Sequence, residues 1–213
     1  GLRTRRYHAL LQVATNPPTG RMVLVNGLDA WIETEGWRHL LTPQAFANVP
    51  GPPDASPYLV AFHDDPWPCW VWQLPDGIQL QQEVLLRHGQ PLAIVRWRAT
   101  LPPDRGATLH VRPLLSGRDY HHLHLRNREA DLATRYSAGR AVSWQPYVPV
   151  PRVHALAGGD WTSAPEWLCD VHYVEEAARG LDCVEDLIVP GSFRFDLVAG
   201  DAWLLLTTPS ELL

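Results

Sequence analysis

The sequence has no lysine at all: each of its 18 basic residues is arginine. These arginines are scattered among 23 Asp and Glu and form no basic stripe, which argues against nucleic acid as the main partner. Cysteine is scarce as well. Cys69, Cys169 and Cys183 are odd in number, widely spaced and free of any C-x-x-C, which excludes a disulfide framework and a zinc knuckle and fits a reducing cytoplasm. Long apolar runs are missing: no window approaches the about 18 residues of a membrane span, and no signal-type apolar region follows Gly1–His8. The expectation is a chain with neither membrane span nor secretory signal. Helical runs are short too. Only Glu166 to Ala178 has few breakers, and its Trp167, Val171, Tyr173 and Val174 suit strand at least as well.

What is present is 46% hydrophobic residues in 213, enough to bury one core over residues 1–213, together with 10 Trp and 20 Pro. Aromatic residues favour strands, while proline interrupts helices and marks edges and turns. Apolar residues alternate with period two in Trp70, Trp72, Leu74; in Ala93, Val95, Trp97, Ala99; and in Phe193, Phe195, Leu197. Turn signals lie between such runs: Asn26-Gly27, Glu35-Gly36, Pro75-Asp76-Gly77, His88-Gly89, Gly158-Gly159-Asp160 and Ala199-Gly200-Asp201. About a dozen short strands exceed what one flat sheet usually holds, so the pattern predicts an all-β fold, a large antiparallel two-sheet β-sandwich with little helix. The Pro-rich stretch from Asn48 to Pro68 reads as a long loop around one short strand, Tyr58 to Phe62. Trp70 and Trp72 read as core and Trp67, between two prolines, as exposed.

Three constellations carry possible chemistry. Arg3-Thr4-Arg5-Arg6-Tyr7-His8 leads straight into Ala9-Leu10-Leu11, a dense set of donors that fits a polar ligand surface, a domain interface or a solvated chain start. Arg118-Asp119-Tyr120-His121-His122-Leu123-His124 follows a strand-like run. In an extended chain His122 and His124 share a face, an H-x-H arrangement that can chelate a metal, with His154 or His172 as further ligands, although hydrogen-bonded histidines explain it more simply. The carboxylates between Glu175 and Asp186 could supply a glycosidase acid and base; a salt-bridged loop, with Arg179 as internal partner, is the plainer reading.

In order along the chain, Arg3 to Leu11 with Asn16-Pro17-Pro18 and Gly20-Arg21, Pro57-Tyr58-Leu59 with Phe62-x-x-Asp65-Pro66, Pro113-Leu114-Leu115 with Arg118-Asp119-Tyr120-His121, and Glu175 to Asp186 with Pro190-Gly191-x-Phe193 resemble one family. That family is the N-terminal domain of bacterial and archaeal glycogen debranching enzymes of the amylo-α-1,6-glucosidase type. The chain departs from it in starting at Gly1, where a Gly-rich strand usually precedes the motif, and in carrying Ala9 where glycine is usual. The resemblance implies a β-supersandwich preceding an (α/α)6 barrel that holds both catalytic carboxylates. A barrel needs roughly 300 residues or more, so it lies outside these residues and the chain alone is expected to be inactive. Arg6, Tyr7, His8, Arg118, Asp119 and His121 are the polar groups expected nearest the substrate cleft, as donors and positioners, with no catalytic residue, metal or cofactor in this chain. The implied partners are glycogen or a related α-glucan and the C-terminal catalytic domain, in a cytoplasmic protein. A free-standing α-glucan-binding sandwich is the alternative; a metal-dependent, cupin-like enzyme using His122 and His124 is a third.

Overall fold

The computed structural model describes residues 3–16, 19–49 and 56–209. Its strands are β1 (Leu11–Asn16), β2 (Gly20–Thr34), β3 (Trp37–Leu40), β4 (Leu59–His63), β5 (Cys69–Gln73), β6 (Gln79–Leu86), β7 (Leu92–Thr100), β8 (Thr108–Asp119), β9 (Arg135–Tyr136), β10 (Val142–Trp144), β11 (Val153–Ala157), β12 (Asp160–His172), β13 (Val184–Asp196) and β14 (Ala202–Thr207). The one α-helix among the described residues, α1 (Val174–Ala177), is a single turn where the breaker-poor run leaves β12. No helix among them is long and apolar enough to cross a membrane.

Six strands form one sheet in the order β1-β2-β8-β13-β12, with β3 also paired to β2; eight form the other, β4-β5-β6-β7-β14-β11-β10-β9. Every pairing is antiparallel. The two inner faces supply the core: Leu24, Ile32, Leu109, Val111, Phe193 and Phe195 from the smaller sheet meet Leu80, Val95, Trp97, Leu204 and Leu206 from the larger. Period-two alternation puts these residues on one side of each strand, so the predicted all-β sandwich is the observed fold.

The turn signals divide by chemistry. Gly36, Gly77, Gly89 and Gly200 all take positive φ at chain reversals, as their turns require. Asn26-Gly27, predicted as a turn, instead lies inside the fifteen-residue β2, where the register with β8 shifts. A β-carbon on Gly27 would come within 2.2 Å of Arg3 Nη1, so this glycine serves the close approach of an arginine and not a hairpin.

The Pro-rich stretch contains a short 3-10 turn (Ser56–Tyr58) and β4, which forms the exposed edge of the larger sheet; residues 50–55 lie outside the described residues. Trp72 is buried, Trp70 is half-buried against Phe62, and Trp67 is exposed.

Candidate functional site

Residues 3–10 enter as an irregular segment across one end of the smaller sheet, and arginines tie it down. Arg3 donates through Nε and Nη2 to Gln44 Oε1 (2.9 and 2.6 Å) and through Nη1 to the Leu28 carbonyl (3.0 Å). The backbone N–H of Glu175 donates to the Thr4 carbonyl at 3.1 Å, docking the segment on α1. Glu176, wholly buried on α1, takes the Arg5 guanidinium at 3.3 Å and lies 3.7 Å from that of Arg6.

Beneath this lies a second buried pair. Arg118, near the end of β8, forms a two-point fork with Glu185 of β13. Its remaining N–H groups donate to the Arg6 carbonyl (2.7 Å) and to the carbonyls of Asp119 and Tyr120 (3.3 Å each), so all five donors are engaged inside the protein. Tyr173 donates its hydroxyl hydrogen to Glu185 and accepts from Asn26 Nδ2 at 2.8 Å. Burial, then the Glu185 charge, push the Tyr173 phenol well above its ordinary pKa, so it stays a donor.

Of the six residues singled out in the sequence, five converge here. Arg6 Nη1 donates to the His121 carbonyl (2.9 Å) and Nη2 to the Asp182 carbonyl (2.6 Å). The Tyr7 hydroxyl meets His121 Nδ1 at 3.2 Å, with the two rings edge-on. Asp119 Oδ1 accepts the His121 backbone N–H at 2.9 Å, fixing the turn after β8. Arg118 holds the floor through the Arg6 carbonyl. His8 lies apart: its Nδ1 accepts the Thr4 N–H, and it lines a separate cavity of about 230 Å³ with Arg3, Asn26, Trp70 and Gln82.

An open cleft of about 710 Å³ is lined by Arg6, His121, His122, Leu125, Leu181 and Asp182, among others. It offers imidazole and carboxylate groups beside exposed aliphatic side chains. Asp182 is the single carboxylate among its described lining residues.

Glu176 and Glu185 escape sequence reading as partners of the N-terminal arginines. Arg179 does approach Glu175, at 3.9 Å and on the surface, but the two buried carboxylates use arginines far away in the chain. The signal available was the position of Glu185: it shares the period-two register of buried Leu187 and Val189, and a charge on an apolar face requires a partner. His122 and His124 do not share a face, because the chain leaves β8 in a turn. The His122 side chain is 79% exposed, while His124 is buried with Nε2 hydrogen-bonded to the Tyr147 hydroxyl at 2.6 Å.

Burial lowers the pKa of His124, outweighing the opposing influence of Glu185, and its Nδ1 has no partner to receive a second proton's hydrogen bond. Burial likewise lowers those of His110 and His154. Below about pH 6.5 the unfolded chain therefore binds protons that the folded chain refuses, so stability rises with pH in this window and falls on acidification. The urea midpoint is expected to drop between pH 7.5 and 5.5, and His124→Gln should flatten that slope; an equally steep slope in the variant would contradict the role of His124.

The geometry defines an antiparallel two-sheet β-sandwich whose leading segment is locked by buried ion pairs and borders an open polar cleft. The chain belongs to the family described as glycogen debranching enzyme N terminal, which it matches over residues 1–204. No curated protein matches it. Among solved structures it is similar to a bacterial glucoamylase complexed with acarbose, at 10% identity and a TM-score of 0.45, over 98% of this chain and 31% of that one. It thus spans less than a third of that protein's length.

Proposed function

We propose that the chain is the non-catalytic N-terminal domain of a glycogen debranching enzyme that hydrolyses α-1,6-glucosidic branch linkages. Membership of the family over residues 1–204 carries this reading. In it, the catalytic acid and second carboxylate belong to a following (α/α)6 domain, against which the sandwich packs. The cleft beside Arg6, Tyr7 and His121 faces the glucan, and its uncharged and charged hydrogen-bonding groups orient sugar hydroxyls. The buried Arg118–Glu185 and Arg6–Glu176 pairs act one step back, holding the segment that carries Tyr7.

His121, which lines the cleft, and Tyr7, whose hydroxyl meets the His121 ring, are the residues to test, since Tyr7 is exposed and neither side chain is a member of a buried ion pair. In the whole enzyme, Tyr7→Ala and His121→Ala are expected to raise KM for a branched α-glucan about fivefold, as for the loss of roughly one hydrogen bond. Unchanged kinetics at unchanged stability would remove these residues from the substrate cleft.

A further inference from the structure

The other end of the smaller sheet carries a second feature. The β2–β3 hairpin puts Trp37 on the surface with 69% of its area exposed, although an indole is among the costliest side chains to leave in water. Beside it, Trp37, Arg38, His39, Leu40, Tyr58 and Asp76 line a cavity of about 620 Å³ between β3 and the β5–β6 turn, where the two sheets part. Tyr58 packs edge-on against the His39 ring at 5.7 Å.

The inner wall of this cavity is chemically unfinished. His39 is buried, with only 6% of its surface exposed, yet its Nε2 has no hydrogen-bond partner, and neither has the buried Asp76 Oδ1. His39 Nε2 stops 3.6 Å from Asp76 Oδ2, beyond hydrogen-bonding distance. A hydroxyl group, donor and acceptor at once, completes both once the Asp76 turn shifts to admit it, since neither atom is open to solvent as the side chains stand. The cavity far exceeds the about 30 Å³ share of a single water, so the group it suits belongs to a larger molecule. Arg38 is already committed: its Nε and Nη2 donate to Glu33, and its guanidinium lies over Trp31 at 4.9 Å. With that cation engaged and one carboxylate opposite, the described lining offers nothing to an anionic ligand. An exposed indole and a tyrosine ring next to paired hydroxyl-binding atoms match the apolar ring face and polar rim of a pyranose.

We infer that Trp37, Tyr58, His39 and Asp76 form a second carbohydrate site, one that takes a neutral pyranose chain. Thr34 and Trp37 lie at the Thr108 end of β8, and Arg118 and Asp119 at its opposite end, roughly 35 Å away along a twelve-residue strand. The site therefore holds a glucan remote from the Arg6–His121 cleft. That the sugar is an α-linked glucan rests on the function proposed above.

The test is calorimetric titration of the full chain with maltoheptaose and, separately, with cellohexaose, with the Trp37 indole N–H followed by NMR. Maltoheptaose is expected to bind and shift the Trp37 resonance, and Trp37→Ala to weaken binding at least tenfold with an unchanged urea midpoint, because the ring is exposed. Asp76→Asn, which keeps the side-chain shape, is expected to weaken binding as well. Binding of cellohexaose alone, with the Trp37 shift, upholds the site and contradicts the α-glucan reading. Maltoheptaose binding that neither shifts Trp37 nor suffers in Trp37→Ala overturns the site and leaves the proposed function standing. Failure of both sugars to bind at millimolar concentration overturns the site.

Discussion

Arg118→Met is expected to destabilise the chain by about 3–5 kcal/mol, the usual cost of removing one member of a buried ion pair. The cost is high because Glu185 is completely buried and depends on the Arg118 fork; only the uncharged donors Tyr173, Ser116 and the His124 backbone N–H would remain to it. The same change frees the Arg6 carbonyl and those of Asp119 and Tyr120, so the loss spreads to the segment carrying Tyr7 and to the turn carrying His121. Urea denaturation should show the lower midpoint, and hydrogen exchange should quicken over residues 4–8. Replacing both members, Arg118→Met with Glu185→Leu, should recover a large part of the stability, since no unpaired charge then stays inside. A single variant with wild-type stability would show that the pair does not anchor this end of the sheet.

Trp97→Ala carries an expected loss of similar size, about 3–5 kcal/mol, by a different route. Trp97 is fully buried at the centre of the larger sheet, with its ring 6.1 Å from that of Phe195 across the sandwich. Its indole N–H donates to Gln82 Oε1 at 2.9 Å, so truncation leaves both a cavity and a buried amide without its partner. Trp97→Phe separates the two effects: it keeps much of the ring volume and should cost about 1–3 kcal/mol, chiefly the orphaned Gln82. Equal urea midpoints for the two variants would mean that packing volume at this position contributes little.

Local pattern was enough wherever a residue's fate depended on its near neighbours. Ala93, Val95, Trp97 and Ala99 alternate inward along β7, and Phe193 and Phe195 do so along β13, because the period of a strand is a property of the strand itself. Glu35-Gly36 and Pro75-Asp76-Gly77 reverse the chain because glycine at positive φ suffices for a tight turn. Asn26-Gly27 has the same appearance, and what decides it is Arg3, which crosses Gly27 from a segment more than twenty residues earlier. The cleft follows the same rule. Arg6, Tyr7, Arg118, Asp119 and His121 are recognisable as a set through family resemblance, whereas the buried carboxylates that tie them down, Glu176 and Glu185, lie 170 residues from Arg6 and 67 from Arg118. His8 stands two residues from Arg6 and still faces another cavity, a separation set by the irregular path of residues 3–10 and invisible to spacing.

The central claim is that these residues form the non-catalytic leading domain of a debranching hydrolase. The most direct test is one assay of glucose release from a branched α-glucan limit dextrin, run side by side on residues 1–213 and on the whole protein that contains them. The account predicts glucose from the whole protein and none from the domain alone. Release by residues 1–213 alone, or none from the whole protein, would contradict it.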